Sequence, residues 1–149
     1  MELKLELYRQ CLAAVHERIA AAQTAIEGLQ HDANEETKSS AGDKYETGRA
    51  MMQLEMEKHG QQLSEARRSK QALEKMDVTR PYSETHPGCI VKTNHGNFFL
   101  AISAGPFTVA GETFVSISPG SPLGSKLLNC KAGDVVSVNN REYKVLEVY

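Results

Sequence analysis

Two carboxylates, Asp43 and Glu46, stand three residues apart just after Gly42. On a helix that spacing sets both on one face, about one turn apart. Carboxylate oxygens are the ligands that hard divalent cations take. A pair of them at the end of a long arm can be delivered into the interior of another macromolecule. The same residues also fit a capping box, with Asp43 as N-cap and Glu46 at N3, favoured by the helix dipole. The two roles are compatible, so both stay open at this level. Glu35 and Glu36 add acids nearby and read as solvated loop charges.

Other reactive residue types carry no comparable pattern. His16, His31, His59, His86 and His95 share no ligand spacing with Cys11, Cys89 and Cys130, so a zinc site is not expected. His59 falls in an apolar column and reads as an interfacial filler. Ser121 has no His and Asp partners at a readable spacing; followed by Pro122, it reads as a helix N-cap with proline at the first helical position. Arg67, Arg68 and Lys70 read first as a solvated helix face.

The elements that would position the acids follow from periodicity. Leu5, Leu12, Ile19 and Ile26 recur every seven residues, interleaved with Tyr8, Val15, Ala22 and Leu29, which makes an a/d seam over four heptads. This predicts a first helix from near the start to about His31, on the order of 40 Å long at 1.5 Å per residue. A weaker seam returns from about Lys44 to Met76, with Met52, His59, Ala66 and Leu73 in one column and Met56 and Leu63 in the other. Between them, residues 32–43 lack bulky apolar side chains and form the expected tip. Residues 1–78 are thus an antiparallel coiled-coil hairpin.

Beyond Val78 the composition changes. Arg80-Pro81-Tyr82 and His86-Pro87-Gly88 punctuate a linker. Strands are expected over Cys89–Thr93, Asn97–Ser103, Thr113–Ser118, Asp134–Val138 and Glu142–Val148, with a short helix from Pro122 to about Leu128 and a tight Asn139-Asn140 turn. Residues 79–149 read as a small antiparallel sheet with one helix, giving an α+β protein overall. Some sixty residues are marginal for an independent core, so packing against the hairpin base is expected to help.

Composition sets bounds. The 149 residues, 24% charged and 40% hydrophobic, allow one domain or two small ones, and a net charge of −2 gives no global argument for nucleic-acid binding. Three widely spaced cysteines and a charged start fit a reducing cytoplasm and no secretory leader. The longest uncharged run, Asn97 to Gly111, is broken by Gly105-Pro106 and too short to cross a bilayer. No membrane partner is expected, and the expected state is a monomer.

The string Ile117-Ser118-Pro119-Gly120-Ser121-Pro122-Leu123-Gly124-Ser125-Lys126-Leu127-Leu128, then Lys131-Ala132-Gly133-Asp134-Val135-Val136 and Glu142-Tyr143-Lys144-Val145-Leu146-Glu147-Val148, resembles the C-terminal domain of the bacterial GreA/GreB transcript-cleavage factors. The domain order agrees, a coiled-coil hairpin followed by an FKBP-like sheet domain, so the resemblance spans nearly the whole chain. It is weakest from Arg80 to Gly111.

The resemblance implies an accessory factor of RNA polymerase, not an enzyme with a reaction of its own. Such a factor docks on the polymerase through the C-terminal domain, where Ser121, Pro122 and Leu123 are candidate contacts. It inserts the hairpin into the secondary channel. Asp43 and Glu46 match the family's tip spacing, which implies that they help hold a Mg²⁺ shared with the polymerase. A second metal there stabilises the attacking and leaving oxygens of transcript cleavage. Arg67, Arg68 and Lys70 would contact nascent RNA phosphates. The chain departs from the family in carrying Lys44, Tyr45 and Thr47 where serine and asparagine are usual around the glutamate, so inhibition or retuning of initiation stands beside cleavage. Prolyl isomerase activity is not expected from an FKBP-like fold with no tryptophan and four phenylalanines. The competing class is a coiled-coil regulator of another partner, similar to the nucleoside-diphosphate-kinase regulators, whose hairpin is markedly shorter.

Overall fold

The computed structural model describes residues 2–39 and 43–149, and the side chains of all of these except 36–39 and 43–47. Helix α1 runs Glu2–Ser39 and α2 runs Asp43–Glu74, forming a helical hairpin. Six strands and a short helix follow: β1 Ile90–Thr93, β2 Gly96–Leu100, β3 Gly105–Val109, β4 Glu112–Ile117, α3 Pro122–Leu127, β5 Val135–Val138 and β6 Arg141–Val148. The chain forms two compact units, Met1–Ala14 with Ser69–Tyr149, and Val15–Arg68.

Within Val15–Arg68 the two heptad columns are the inward stripes. Val15 and Ala22 are buried and Ile19, Ile26 and Leu29 half-buried on α1; Ala66 is buried and Met52, Met56, His59 and Leu63 are half-buried on α2. His59 fills its seam place with polar cover, its Nδ1 lying 2.9 Å from Gln62 Oε1 and its Nε2 3.6 Å from Glu55 Oε2. α1 continues through 32–39, where a loop was expected, because its alanine, glutamate, lysine and threonine carry no helix breaker. The remaining expected tip residues, Ser40, Ala41 and Gly42, lie outside the described residues.

The other unit is built on a sheet of order β3-β4-β2-β1-β6-β5. The expectation of a purely antiparallel sheet is corrected in one place: β2 and β4 pair in parallel, Phe98 opposite Val115 and Leu100 opposite Ile117. The cause is β3, a strand not expected from the sequence. It takes the outer edge, forms a hairpin with β4 through Ala110 and Gly111, both at positive φ (53° and 81°), and so returns β4 alongside β2 in the same direction. Gly105-Pro106 does not break this strand, because prolines are tolerated on sheet edges.

Both faces of the sheet carry buried apolar side chains over β1 and β2. On one, Val91, Phe98, Leu100 and Val145 pack with Tyr82, Cys89, Leu127 and Cys130, the last two from α3 and the segment after it. The other carries Ile90, Phe99, Phe114 and Ser116, which share a side by register. Here Cys11 Sγ lies 3.3 Å from Ser116 Oγ, so the first turns of α1 lie on this face. That packing rotates the buried stripe. Lys4, Leu7 and Cys11 are the buried positions at the helix base, whereas Leu5, expected in the seam, is 37% exposed.

Lys4 is 3% exposed. Its Nζ donates to the Arg80 carbonyl and sits 4.8 Å from the Tyr82 ring centre, and Tyr82 Oη donates to the Asp77 carbonyl at 2.8 Å. Burial pushes the Lys4 ammonium pKa down, opposed by the charges of Cys89 and Asp77. One cation thus ties the start of α1 to the linker after α2. Lys4→Ala is expected to cost about 2 kcal/mol in urea unfolding through the lost charged hydrogen bond and ring contact. Lys4→Met, which keeps the stem and removes the buried charge, should cost less. No loss in either variant, or a loss in Lys4→Ala that Lys4→Met fully recovers, would show that the ammonium is not the tie.

Candidate functional site

Asp43 is the first residue of α2 and Glu46 lies in its first turn. Their side chains are outside the described residues, so neither the capping box nor the metal role is resolved in geometry. Among the described residues, no group of three or more His, Cys, Asp or Glu side chains is gathered to hold a metal ion.

The basic candidates all belong to α2. Arg67 and Arg68 are exposed and Lys70 is half-buried. The two exposed arginines suit phosphate contact and suit solvation equally.

Ser121, Pro122 and Leu123 open α3, and here local chemistry dictates the shape. Ser121 Oγ donates to the Ser118 carbonyl at 2.7 Å and accepts from the Gly124 N–H at 3.0 Å, so the hydroxyl is an N-cap and turn brace. Pro122 takes the first helical turn, where its missing N–H costs nothing. Gly124 is required by close approach: a Cβ there would lie 1.9 Å from the Ser118 oxygen. The turn leaves Pro122 exposed and sets Leu123 half-buried against the core.

These residues join others that sequence reasoning missed. Ile117, Ser121, Pro122, Leu123, Val138, Asn139, Arg141 and Tyr143 line an open groove of about 440 Å³. Ile117, Leu123, Val138 and Tyr143 in its lining are half-buried, and Arg141 is exposed. The signal for the second wall was Val136 and Val138 alternating with exposed Val135 and Ser137, which places one side of β5 towards α3. Asn139 and Asn140 close the β5–β6 hairpin at φ of 52° and 63°, as expected for a two-residue turn.

The thiols are structural. Cys11, Cys89 and Cys130 are buried and are not joined in a disulfide. Burial pushes Cys89 up to about 11, with hydrogen bonding from the His86 backbone and the Lys4 charge opposing it. Burial likewise raises Cys130, helped by the Asp134 and Glu84 charges. Neither is a poised nucleophile. A second open cleft, of about 610 Å³, lies beside the base of α1, with Leu3, Leu5, Glu6, Arg9, Glu112 and Phe114 in its lining.

No protein-family model matches the chain. No curated protein matches it either. Among solved structures, it is similar to GreA factor homolog 1 of Thermus thermophilus at 18% identity and a TM-score of 0.35, over 97% of this chain and 93% of that one. A likeness at that level carries no argument about function. No helix among the described residues is long and apolar enough to cross a membrane.

Gly124→Ala is expected to cost more than about 2 kcal/mol, since the Ser118–Ser121 turn must open to admit a methyl group. Thermal unfolding with amide spectra of residues 117–128 would check this. A variant with wild-type stability and unchanged amide shifts would contradict the tight-turn assignment.

Proposed function

We propose that this protein is an accessory factor of bacterial RNA polymerase. It docks through the sheet domain and reaches the polymerase active site through the secondary channel with its helical hairpin. The observation that carries this reading is the hairpin itself, with Asp43 and Glu46 in the first turn of α2. α1 has 38 residues, about 57 Å at 1.5 Å per residue, which favours the channel-entering class over regulators with a short hairpin. The sequence strings that resemble the Gre factors form α3, β5 and β6 in the order that the resemblance implies.

In this reading, the protein has no reaction of its own. Asp43 and Glu46 add oxygen ligands for a Mg²⁺ held jointly with the polymerase, where a second metal stabilises the in-line displacement that shortens the transcript. Arg67, Arg68 and Lys70 meet nascent RNA phosphates, and the groove walled by Ser121, Pro122 and Leu123 takes part in docking. Ser121 contributes there by shaping the turn, since its hydroxyl is already used. Lys44 places a cation beside the acids and competes with metal for them, so retuned initiation is the second form of the same reading.

The test is transcript shortening on backtracked polymerase complexes. Wild-type protein is expected to bind core polymerase and to change the fate of stalled complexes, by cleavage or by inhibition. Asp43→Ala with Glu46→Ala should remove that effect while leaving polymerase binding and the fold intact. Binding without any effect on the complexes would sink the role of the acidic pair. Failure to bind polymerase would hand the hairpin to a different partner.

A further inference from the structure

The sheet has two edges, and they are built differently. In the β3–β4 hairpin, the two-residue Ala110-Gly111 turn makes Val109 and Glu112 the closing hydrogen-bonded pair. Alternation then assigns Phe107 to Phe114 and leaves Pro106 and Thr108 facing away from β4. Pro106 has no N–H to offer, so this edge is blocked, the usual protection of an edge strand.

The β5–β6 hairpin follows the same arithmetic with the opposite result. Its Asn139-Asn140 turn makes Val138–Arg141 the closing pair and Val136–Tyr143 the next. Val135 and Ser137 therefore aim their N–H and C=O groups at the free side. Both residues are exposed, Val135 at 56%, and no other backbone hydrogen bond among the described residues uses their groups. The strand is Val-Val-Ser-Val, with neither proline nor charge. Beside it runs the apolar groove of Ile117, Leu123, Val138 and Tyr143, with Arg141 at the rim and no salt-bridge partner among the described residues.

We infer that β5 is a strand-addition site for an extended segment of a partner protein, with small apolar side chains at alternate positions and a carboxylate for Arg141. The added strand takes up the four outward backbone groups of Val135 and Ser137. Its alternate side chains fall on the side of Val136 and Val138 and extend the groove contact, the mode in which main-chain bonds supply affinity and pockets supply selectivity. Arg141, one strand further in, is within reach of an acidic side chain and sets the charge preference. A second copy of the chain is the weaker occupant. Pairing two four-residue strands buries far less than the roughly 1,000 Å² of a stable interface. The inference rests on the geometry of β5; it shares the α3 groove with the docking role proposed above and needs no particular identity of the partner.

The experiment uses the full chain and a capped eight-residue peptide of alternating valine and threonine with one central aspartate. Two further peptides carry lysine in place of aspartate, or N-methyl groups on alternate amides. The aspartate peptide is expected to shift the Val135 and Ser137 amides and to slow their exchange. Alternate N-methylation, and Ser137→Pro, which copies the Pro106 device, should each weaken binding about tenfold or more by removing main-chain bonds. Arg141→Gln should remove the preference for aspartate over lysine. Absence of binding by the aspartate peptide, equal binding of the N-methylated peptide, or shifts confined to another surface would overturn the inference. So would self-association that Ser137→Pro abolishes, which would give the edge to a second copy. Should Ser137→Pro lower the melting temperature, the N-methylated peptide still decides.

Discussion

Everything in the larger unit depends on one constraint: a six-stranded sheet with apolar side chains on both faces needs a cover on each. α3 and the segment after it cover Val91, Phe98 and Leu100. The first turns of α1, brought there by Leu7 and Cys11, meet the face of Ile90, Phe99 and Phe114, all of them buried. Fully burying each large apolar side chain stabilises by roughly 1.5–3 kcal/mol, so exposing Phe99 and Phe114 together would cost a large part of a small domain's stability. The base of the hairpin is therefore part of the sheet's core. Lys4 fixes that arrangement at the chain's start, and the Asp77–Thr79 turn, where Thr79 N–H and Oγ donate to Asp77 Oδ1, shapes the segment that receives it.

The candidate contact surface is built outward from the same core. Thr85, 2% exposed, accepts from the Cys130 N–H and donates to the Leu127 carbonyl, which ties the linker to the end of α3. Ser121 and Gly124 fix its beginning. With both ends held, α3 forms a rigid wall for the groove that β5 and β6 complete. Rigidity of this kind favours binding, because little conformational entropy is lost when a partner arrives.

Much of this was legible from residue order. The seven-residue repeat of Val15, Ala22 and Leu29, interleaved with Ile19 and Ile26, marked the inward stripe because a helix facing a single partner along its length imposes a mean period of about 3.5 residues. Ser-Pro marked the start of α3, and Asn-Asn the last hairpin, because each pair has few backbone conformations available. The misses share a non-local cause. Heptads extended to Leu5 ignored the sheet, which claims the stripe of Lys4, Leu7 and Cys11, and no hydrophobicity count flags a buried lysine. β3 was passed over because Gly105-Pro106 reads as a break until its edge position is known. The parallel β2–β4 pairing follows from that strand alone. At the candidate groove, Ser121 and Pro122 were legible as helix cap and first-turn proline, whereas Arg141 and Tyr143 gave no signal, since the groove joins segments distant in sequence. The spacing of Asp43 and Glu46 was legible from the outset, and its meaning rests on chemistry beyond the described side chains.

The claim that carries the rest is that the helix base and the sheet form one cooperative unit. Native-state hydrogen exchange on the intact chain tests it most directly. Amides of α1 around Leu7 and Cys11 should open with the same free energy and the same denaturant dependence as those of Phe99 and Phe114. Exchange of the helix-base amides through a lower-energy opening, while the sheet stays protected, would contradict it.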